Sequence, residues 1–368
     1  MSPDGAVFKW YVRELLQLPA VPCFFTGGIA VPKQDGCRKA VIPVFISFAG
    51  CPHRCIFCNQ RVINGESENS LRAAEEQIAR AEAWVLPGAA NELAFYGGSF
   101  TALPLDRQRA LLSLAEGRRR KGLFGRIRLS TRPDAITPEI LEQLQEFGVE
   151  TVELGVQSLD DRVLALAERG HTAADVERAA SLLRRYGFRI GFQLMVGLPG
   201  ETEDSLRLTR DRVLSLAPDL CRIYPLLVLS GTKLAQLWEA GAYAPLSLEQ
   251  AVSRTAYFHQ AFTAAGIRVI RMGLQPDRDL CAPGHILAGP FHPAFGELVL
   301  SHEYRTRIES LIEAQPPGNY NMIITCPDRL ASVLRGQHRC NVEAWEAGGR
   351  IRVVFRQGEK VGVDFHDR

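Results

Sequence analysis

The chain has 368 residues, of which 46% are hydrophobic and 23% charged, and its formal net charge is +2. This composition is typical of a globular protein, and the length predicts one large domain and a smaller one. The small net charge does not indicate a nucleic-acid partner, so such a contact would have to come from local clusters. No apolar run reaches the about 20 residues that a membrane span needs, and the N-terminus lacks the pattern of a signal peptide. We therefore expect a cytoplasmic protein with no membrane contact.

The order of the predicted elements indicates an α/β fold. Residues 1–38 are interrupted by Pro and Gly and predict a loose N-terminal extension. From residue 40, apolar strand-like runs alternate with amphipathic helical stretches. The six strand-like runs cover 40–48, 92–98, 126–134, 151–158, 188–200 and 221–229. This alternation predicts a parallel sheet, covered by helices and curled into a partial (β/α)6 barrel over 39–275, with its active site at the C-terminal ends of the strands.

Two further segments follow the predicted barrel. Residues 276–318 begin with a Pro- and Gly-rich stretch and predict an ordered loop that runs into a helix. Residues 319–368 show the order strand, helix, helix, strand, strand. This pattern predicts a separate small α+β module.

A cysteine cluster follows the first predicted strand. The chain has nine cysteines, an odd number and mostly scattered, which argues against a disulfide framework. Cys51, Cys55 and Cys58 form a C-x3-C-x2-C motif, and three thiolates from one loop can bind three corners of an iron–sulfur cubane and leave the fourth iron open. Two alternatives stay open. One is a structural zinc site with His53 as the fourth ligand, although the position of His53 between Cys51 and Cys55 makes tetrahedral coordination awkward. The other is three unligated thiols.

A glycine pair follows the second predicted strand, in the sequence Tyr96-Gly97-Gly98-Ser99. Paired glycines permit close backbone approach to a ligand. With the cysteine motif and the aromatic Phe57 before its third cysteine, this turn resembles the radical S-adenosylmethionine (SAM) superfamily. The resemblance implies a [4Fe–4S] cluster on the three cysteines, SAM chelated at the open iron, and SAM's amino group bound by the glycine turn.

Longer stretches resemble one branch of that superfamily, the radical SAM domain of the Elongator catalytic subunit and its short prokaryotic relatives. These stretches are 50–60, 95–104, 130–134, 150–164, 169–176 and 191–202. The strand pattern is also similar to the oxygen-independent coproporphyrinogen oxidase branch, but STRPD (130–134) and GLPGET (197–202) fit the Elongator-like branch better.

The resemblance implies a set of cofactor-binding residues at the strand ends. Gln157 and Ser158 would face SAM or substrate, Arg132 would hold a carboxylate or phosphate, and Gln193 and Met195 would seat the ribose and adenine. Alternatives are a salt bridge for Arg132 and satisfied core polar groups for Gln157, Ser158 and Gln193. The full predicted set is Phe57, Gly97, Gly98, Ser99, Arg132, Gln157, Ser158, Gln193 and Met195.

The function that the resemblance implies is reductive cleavage of SAM to a 5′-deoxyadenosyl radical. A one-electron reductant such as flavodoxin or ferredoxin would supply the electron, and RNA, in particular tRNA, is the candidate substrate. We expect no acetyltransferase domain, because only about 70 residues follow position 300. The alternatives are a coproporphyrinogen-oxidase-like or other small-molecule radical SAM enzyme, and an RNA-binding protein with a structural metal site.

The C-terminal module resembles the core of a KH RNA-binding domain, in which a GxxG loop between two helices holds the nucleotide backbone. Gly336-Gln-His338-Arg339 stands in place of GxxG, and 335–356 carries five arginines against two glutamates. The predicted RNA-binding residues are Arg335, Gly336, His338 and Arg339. The alternative is a small domain that only closes the barrel.

Overall fold

The structure, a computed structural model, describes residues 40–368 except 53, 66–69 and 89, so the predicted extension 1–38 lies outside the described residues. The described chain divides into two compact units, residues 40–293 and 294–368. The second unit therefore begins upstream of the predicted start at 319, and it includes the helix that the sequence analysis assigned to 276–318.

The first unit is built on a parallel sheet of seven strands in the order β1-β2-β3-β4-β5-β6-β8. The predicted parallel α/β sheet is confirmed, with one correction. The sequence analysis counted six strands and missed the seventh, β8, at the far edge. The strands are β1 (Val41–Phe45), β2 (Glu92–Tyr96), β3 (Arg126–Thr131), β4 (Val149–Gln157), β5 (Arg189–Val196), β6 (Leu220–Pro225) and β8 (Arg268–Met272), and a short β7 (Val228–Leu229) pairs with β9 (Ile286–Ala288).

Side-chain contacts across the sheet show that it curls. Tyr96 on β2 and Arg222 on β6 are separated by three intervening strands, a span of roughly 19 Å in a flat sheet. Arg222 Nη2 nevertheless donates to the Tyr96 hydroxyl at 2.6 Å. The strands therefore form part of a barrel, with these two side chains on its concave face.

Helices connect consecutive strands, and their N-termini are set by local capping. Thr172, Thr202 and Ser247 each begin a helix with a capping box, in which the side chain accepts from the third helical N–H. The helices of this unit are α1 (Gln60–Asn64), α2 (Leu71–Glu82), α3 (Leu105–Arg120), α4 (Pro138–Glu146), α5 (Asp161–Leu166), α6 (Ala173–Arg185), α7 (Glu203–Leu216), α8 (Lys233–Glu239) and α9 (Leu248–Ala264).

The second unit packs three helices against a three-stranded sheet. The elements are α10 (Phe295–Glu313), β10 (Tyr320–Cys326), α11 (Asp328–Arg335), α12 (Cys340–Glu346), β11 (Ile351–Gln357) and β12 (Gly362–Asp367). The central β10 runs parallel to β11 and antiparallel to β12. The core of this second unit includes Met322, Leu334 and Trp345, which are all buried.

Within the residues that the structure describes, no helix has the length and apolar character that a membrane span requires.

Candidate active site

The cysteine loop is tied to the glycine turn by backbone hydrogen bonds. Phe48 N–H donates to the Gly97 carbonyl at 3.0 Å, and Ser99 N–H donates to the Ala49 carbonyl at 2.8 Å. The segment after β1 and the segment after β2 therefore form one unit at the C-terminal edge of the sheet, where a parallel barrel carries its site.

Gly98 is required by this contact. A Cβ at Gly98 would lie 2.4 Å from the Ala49 carbonyl oxygen and 2.7 Å from that of Ile46. Both are backbone atoms that no side-chain rotation can move aside. The glycine thus allows two backbone segments to meet at the site.

The three motif thiols have different surroundings. Cys51 is exposed and lies 3.4 Å from the Ser99 hydroxyl. Cys55 is buried, and its sulfur accepts a hydrogen bond from Arg169 Nη1 at 2.9 Å. Cys58 is half-buried and accepts from Gln60 Nε2 at 3.5 Å.

The thiols lie close enough to influence one another. Burial raises the pKa of Cys58 to about 12, and the neighbouring Cys55 and Cys51 thiols contribute to the rise. Among the described residues, no three His, Cys, Asp or Glu side chains are gathered closely enough to hold a metal ion. His53, the possible zinc ligand, lies outside the described residues. The fit of this site to a cluster rests on the donor set and on the cation beside it.

That cation is Arg169. It is buried, and its Nη2 donates to the Gly155 carbonyl on β4 at 2.6 Å. Its Nε has no hydrogen-bond partner among the residues that the structure describes. A Cβ at Gly155 would lie 3.1 Å from Arg169 Nη2, so a side chain at this position would crowd the guanidinium. Cysteine sulfur is the ligand that holds iron–sulfur clusters, and the buried Arg169 guanidinium gives the Cys55 sulfur a charge-assisted hydrogen bond. The residues present therefore fit an iron–sulfur cluster held by the three cysteines.

Three of the predicted cofactor residues lie toward the same edge. Gln157 ends β4 with φ +67°, a left-handed conformation that is uncommon for a non-glycine residue. Its Oε1 accepts from Gln193 Nε2 at 2.6 Å, so the two predicted polar residues bind each other. Met195 and Phe57 both pack against a buried cluster that includes Ile56 of the cysteine loop.

Two predicted residues are engaged within the fold. Arg132 donates through Nε and Nη2 to the two carboxylate oxygens of Asp134, both at 2.9 Å. The Ser158 hydroxyl lies 3.2 Å from that of Thr209. Their roles in cofactor binding stay predictions, and both side chains already have the partners that the alternative interpretations require.

The sequence analysis assigned no role to Arg169 or His171, although both belong to a shared stretch. His171 is buried, with Nε2 3.3 Å from the Val156 carbonyl and Nδ1 unpartnered. Burial, together with the Arg169 and Arg132 cations, lowers the pKa of His171 to about 4. The signal was the Arg-Gly-His sequence at the start of the shared stretch 169–176, which follows α5 (Asp161–Leu166).

The sequence analysis also missed a charged network on the concave face of the sheet. Arg128 is buried between two carboxylates, donating to Glu92 at 2.6 Å and to Glu153 at 2.7 Å. Arg222 lies 2.7 Å from Glu153 and contacts the Tyr96 hydroxyl. In the sequence, this network could have been recognised from the charged residues that stand within otherwise apolar strand-like runs.

In the second unit, the predicted RNA-binding residues form the turn between α11 and α12. Gly336, His338 and Arg339 all have positive φ angles, and a Cβ at Gly336 would lie 2.6 Å from Cys340 Sγ. His338 and Arg339 are exposed. Arg335 stacks its guanidinium 4.6 Å from the centre of the Phe355 ring.

Comparison with known proteins identifies the class. The family model of the radical SAM superfamily matches residues 45–213, and that of the radical SAM C-terminal domain matches 218–305. The chain belongs to the radical SAM superfamily. The predicted enzyme class and its cofactors, a [4Fe–4S] cluster and SAM, are thereby confirmed at the level of the family.

The similar proteins include members of the Elongator-like branch. A tRNA uridine(34) acetyltransferase of Methanocaldococcus infernus is 29% identical over 259 residues, covering 59% of this chain and 48% of that protein. Protein YhcC of Escherichia coli is 30% identical over 230 residues, covering 61% of this chain and 68% of that protein. The solved structure of M. infernus Elp3 aligns with a TM-score of 0.57 at 25% identity, covering 73% of this chain and 63% of that one. The chain spans about half the length of the acetyltransferase it matches.

Proposed function

We propose that this protein cleaves SAM reductively at a cluster held by Cys51, Cys55 and Cys58 and uses the resulting radical to modify RNA, with tRNA as the substrate. When bound, the cluster would supply the electron that breaks SAM's sulfonium bond. The single observation that carries the proposal is the junction at the strand ends, where Arg169 joins Cys55 to β4 and the glycine turn joins the same loop to β2.

The chain's own residues have separate tasks in this proposal. The three thiolates hold the cluster, and Arg169 holds Cys55 in place and offers its unpartnered Nε to an anionic group nearby. The turn at Gly97 and Gly98 presents backbone carbonyls to the amino group of SAM. The pair Gln157 and Gln193 presents amide groups that can hydrogen-bond to the nucleoside part.

Two observations support RNA as the substrate class: the names of the similar proteins, and a basic turn in the second unit. One relative is a tRNA uridine(34) acetyltransferase, and a similar solved structure is an Elp3. The exposed turn at His338 and Arg339 has the backbone form and the positive charge that phosphate binding needs. Acetyl transfer is not part of the proposal.

The test is a mass-spectrometric comparison of tRNA nucleosides. The protein is reconstituted anaerobically and incubated with SAM, reduced flavodoxin and tRNA from cells that lack the gene. We expect one nucleoside to change with the parent protein and none with Cys55→Ala. No change with an active, SAM-cleaving parent protein would contradict RNA as the substrate.

A further inference from the structure

The charges on the concave face of the sheet do not balance. Arg128 and Arg222 are neutralised by the carboxylates of Glu92 and Glu153. A third arginine, Arg271 on β8, has no carboxylate partner among the residues that the structure describes. Its guanidinium makes one hydrogen bond, from Nε to the Gly273 carbonyl at 3.1 Å, which leaves the two terminal nitrogens without a partner.

Arg271 lies beside the network. It is the register partner of Arg222 on the neighbouring parallel strand, so both side chains leave the sheet on the same face. Arg271 is half-buried. Burial lowers its pKa, the Arg222 cation lowers it further, and the hydroxyls of Tyr224 and Tyr96 act in the opposite direction. The groups that act on Arg271 are therefore one cation, Arg222, and two neutral phenols, Tyr224 and Tyr96.

The hydroxyl groups of Tyr96 and Tyr224 can each still donate a hydrogen bond. Arg222 donates to the Tyr96 hydroxyl oxygen at 2.6 Å and to that of Tyr224 at 3.3 Å. Each hydroxyl thus acts as an acceptor toward Arg222, and its own proton is left for another partner. Burial raises the pKa of Tyr96, so its hydroxyl keeps that proton.

We propose that Arg271, Tyr224 and Tyr96 form a binding site for an oxyanion of the substrate, a carboxylate or a phosphate. The two terminal nitrogens of Arg271 and the two phenol hydroxyls supply N–H and O–H donors for which the described residues offer no acceptor. An uncompensated, partly buried guanidinium is costly, and an oxyanion that accepts from it bidentately removes that cost.

The position of the site agrees with a role in substrate binding. Tyr96 is the last residue of β2, and the Gly97–Gly98 turn follows it directly. An anion held here would therefore place the rest of its molecule near the turn proposed to bind SAM. This inference rests on the proposed function in one respect, that the substrate binds inside the barrel. It adds that the substrate carries an oxyanion.

The experiment is isothermal titration calorimetry on the full chain at constant ionic strength, with inorganic phosphate and, separately, acetate as probes. We expect saturable binding of one anion per chain, and the tighter probe distinguishes a phosphate from a carboxylate as the natural group. Arg271→Gln should weaken that binding at least tenfold, whereas Arg271→Lys, which keeps the charge, should retain part of it. The matched control is Arg268→Gln, an exposed arginine at the start of the same strand, which should bind like the parent.

Three results would overturn the proposal. The first is a parent protein that shows no saturable binding of either anion. The second is an Arg271→Gln variant of unchanged melting temperature that binds as the parent does. The third is a loss of SAM affinity in reconstituted Arg271→Gln, measured by equilibrium dialysis, which would assign the site to SAM's own carboxylate. Because no turnover is measured, a failure of tRNA modification would leave these results intact.

Discussion

Arg169 connects two parts of the site through one side chain. Its guanidinium donates to the Cys55 sulfur and to the Gly155 carbonyl, and so it holds the middle cysteine of the motif against β4. A charge-assisted hydrogen bond of this kind is about twice as strong as a neutral one. In the proposed site, Arg169 would therefore position a cluster ligand and place positive charge beside it.

We predict that Arg169→Gln lowers the rate of SAM cleavage at least tenfold and lowers the iron retained per chain, because Cys55 loses its charged donor. Arg162→Gln is the matched control, since Arg162 is exposed and forms its ion pair with Asp160, away from the cysteines. Iron content and 5′-deoxyadenosine formation are measured on both. Equal values for both variants would show that Arg169 has no part in the site.

His171 predicts a pH dependence of stability. Its pKa is about 4 in the folded chain and about 6.5 when unfolded, so between these pH values the unfolded state binds more protons. The free energy of unfolding should then fall as the pH is lowered from 6.5 toward 4, by up to about 3 kcal/mol from this group. Denaturant titrations at pH 7 and 5 should show a smaller loss for His171→Gln than for the parent. The same loss in both would refute the assignment.

At the scale of elements, the junction between the cysteine loop and the glycine turn depends on the absence of one Cβ. We predict that Gly98→Ala destabilises the chain by about 1–3 kcal/mol and weakens SAM binding at least tenfold, because the two backbones must separate. Gly117→Ala in α3 is the control, since a Cβ there meets nothing within 4 Å and favours a helix. A Gly98→Ala variant that binds SAM as the control does would contradict this account.

The elements that could be predicted from the sequence are those whose pattern is local. Six strands and the order of the C-terminal module follow from apolar runs and helical spacing, and the cysteine motif lies within eight residues. β8 was missed because RVIRM, a short edge strand, carries arginines at its first and fourth positions. Long-range pairs could not be predicted, since the contact of Arg169 with Cys55 joins residues 114 positions apart and depends on how the loops return. For Arg132 the partner in the fold is local, because Asp134, to which it donates, lies two residues away, as the salt-bridge alternative requires.

At the scale of the whole molecule, the chain combines a barrel with the cluster cysteines and a second unit with an exposed basic turn. Gly336 is needed by the turn itself, since it has φ +73° and a Cβ would contact Cys340 and Asn341. Asn341 also holds the end of α11, donating to the Leu334 carbonyl at 3.1 Å. A clean test of RNA binding therefore changes exposed side chains only and leaves Gly336 in place.

We predict that Arg339→Glu weakens tRNA binding roughly tenfold and reduces the dependence of affinity on salt by about one ion. Arg329→Glu is the matched control, because it makes the same charge change on an exposed residue at the other end of α11. SAM cleavage without tRNA should be unchanged in both, since the cluster cysteines lie in the other unit. If the two variants bind tRNA equally, the turn is not an RNA contact.

The central claim, that Cys51, Cys55 and Cys58 hold a SAM-cleaving cluster, is tested most directly by anaerobic reconstitution. The measurement is iron per chain together with 5′-deoxyadenosine formed from SAM after reduction with dithionite. We predict about four irons per chain and steady 5′-deoxyadenosine formation for the parent, and neither for Cys55→Ala. A reconstituted parent protein that holds one zinc ion and leaves SAM intact would contradict the account.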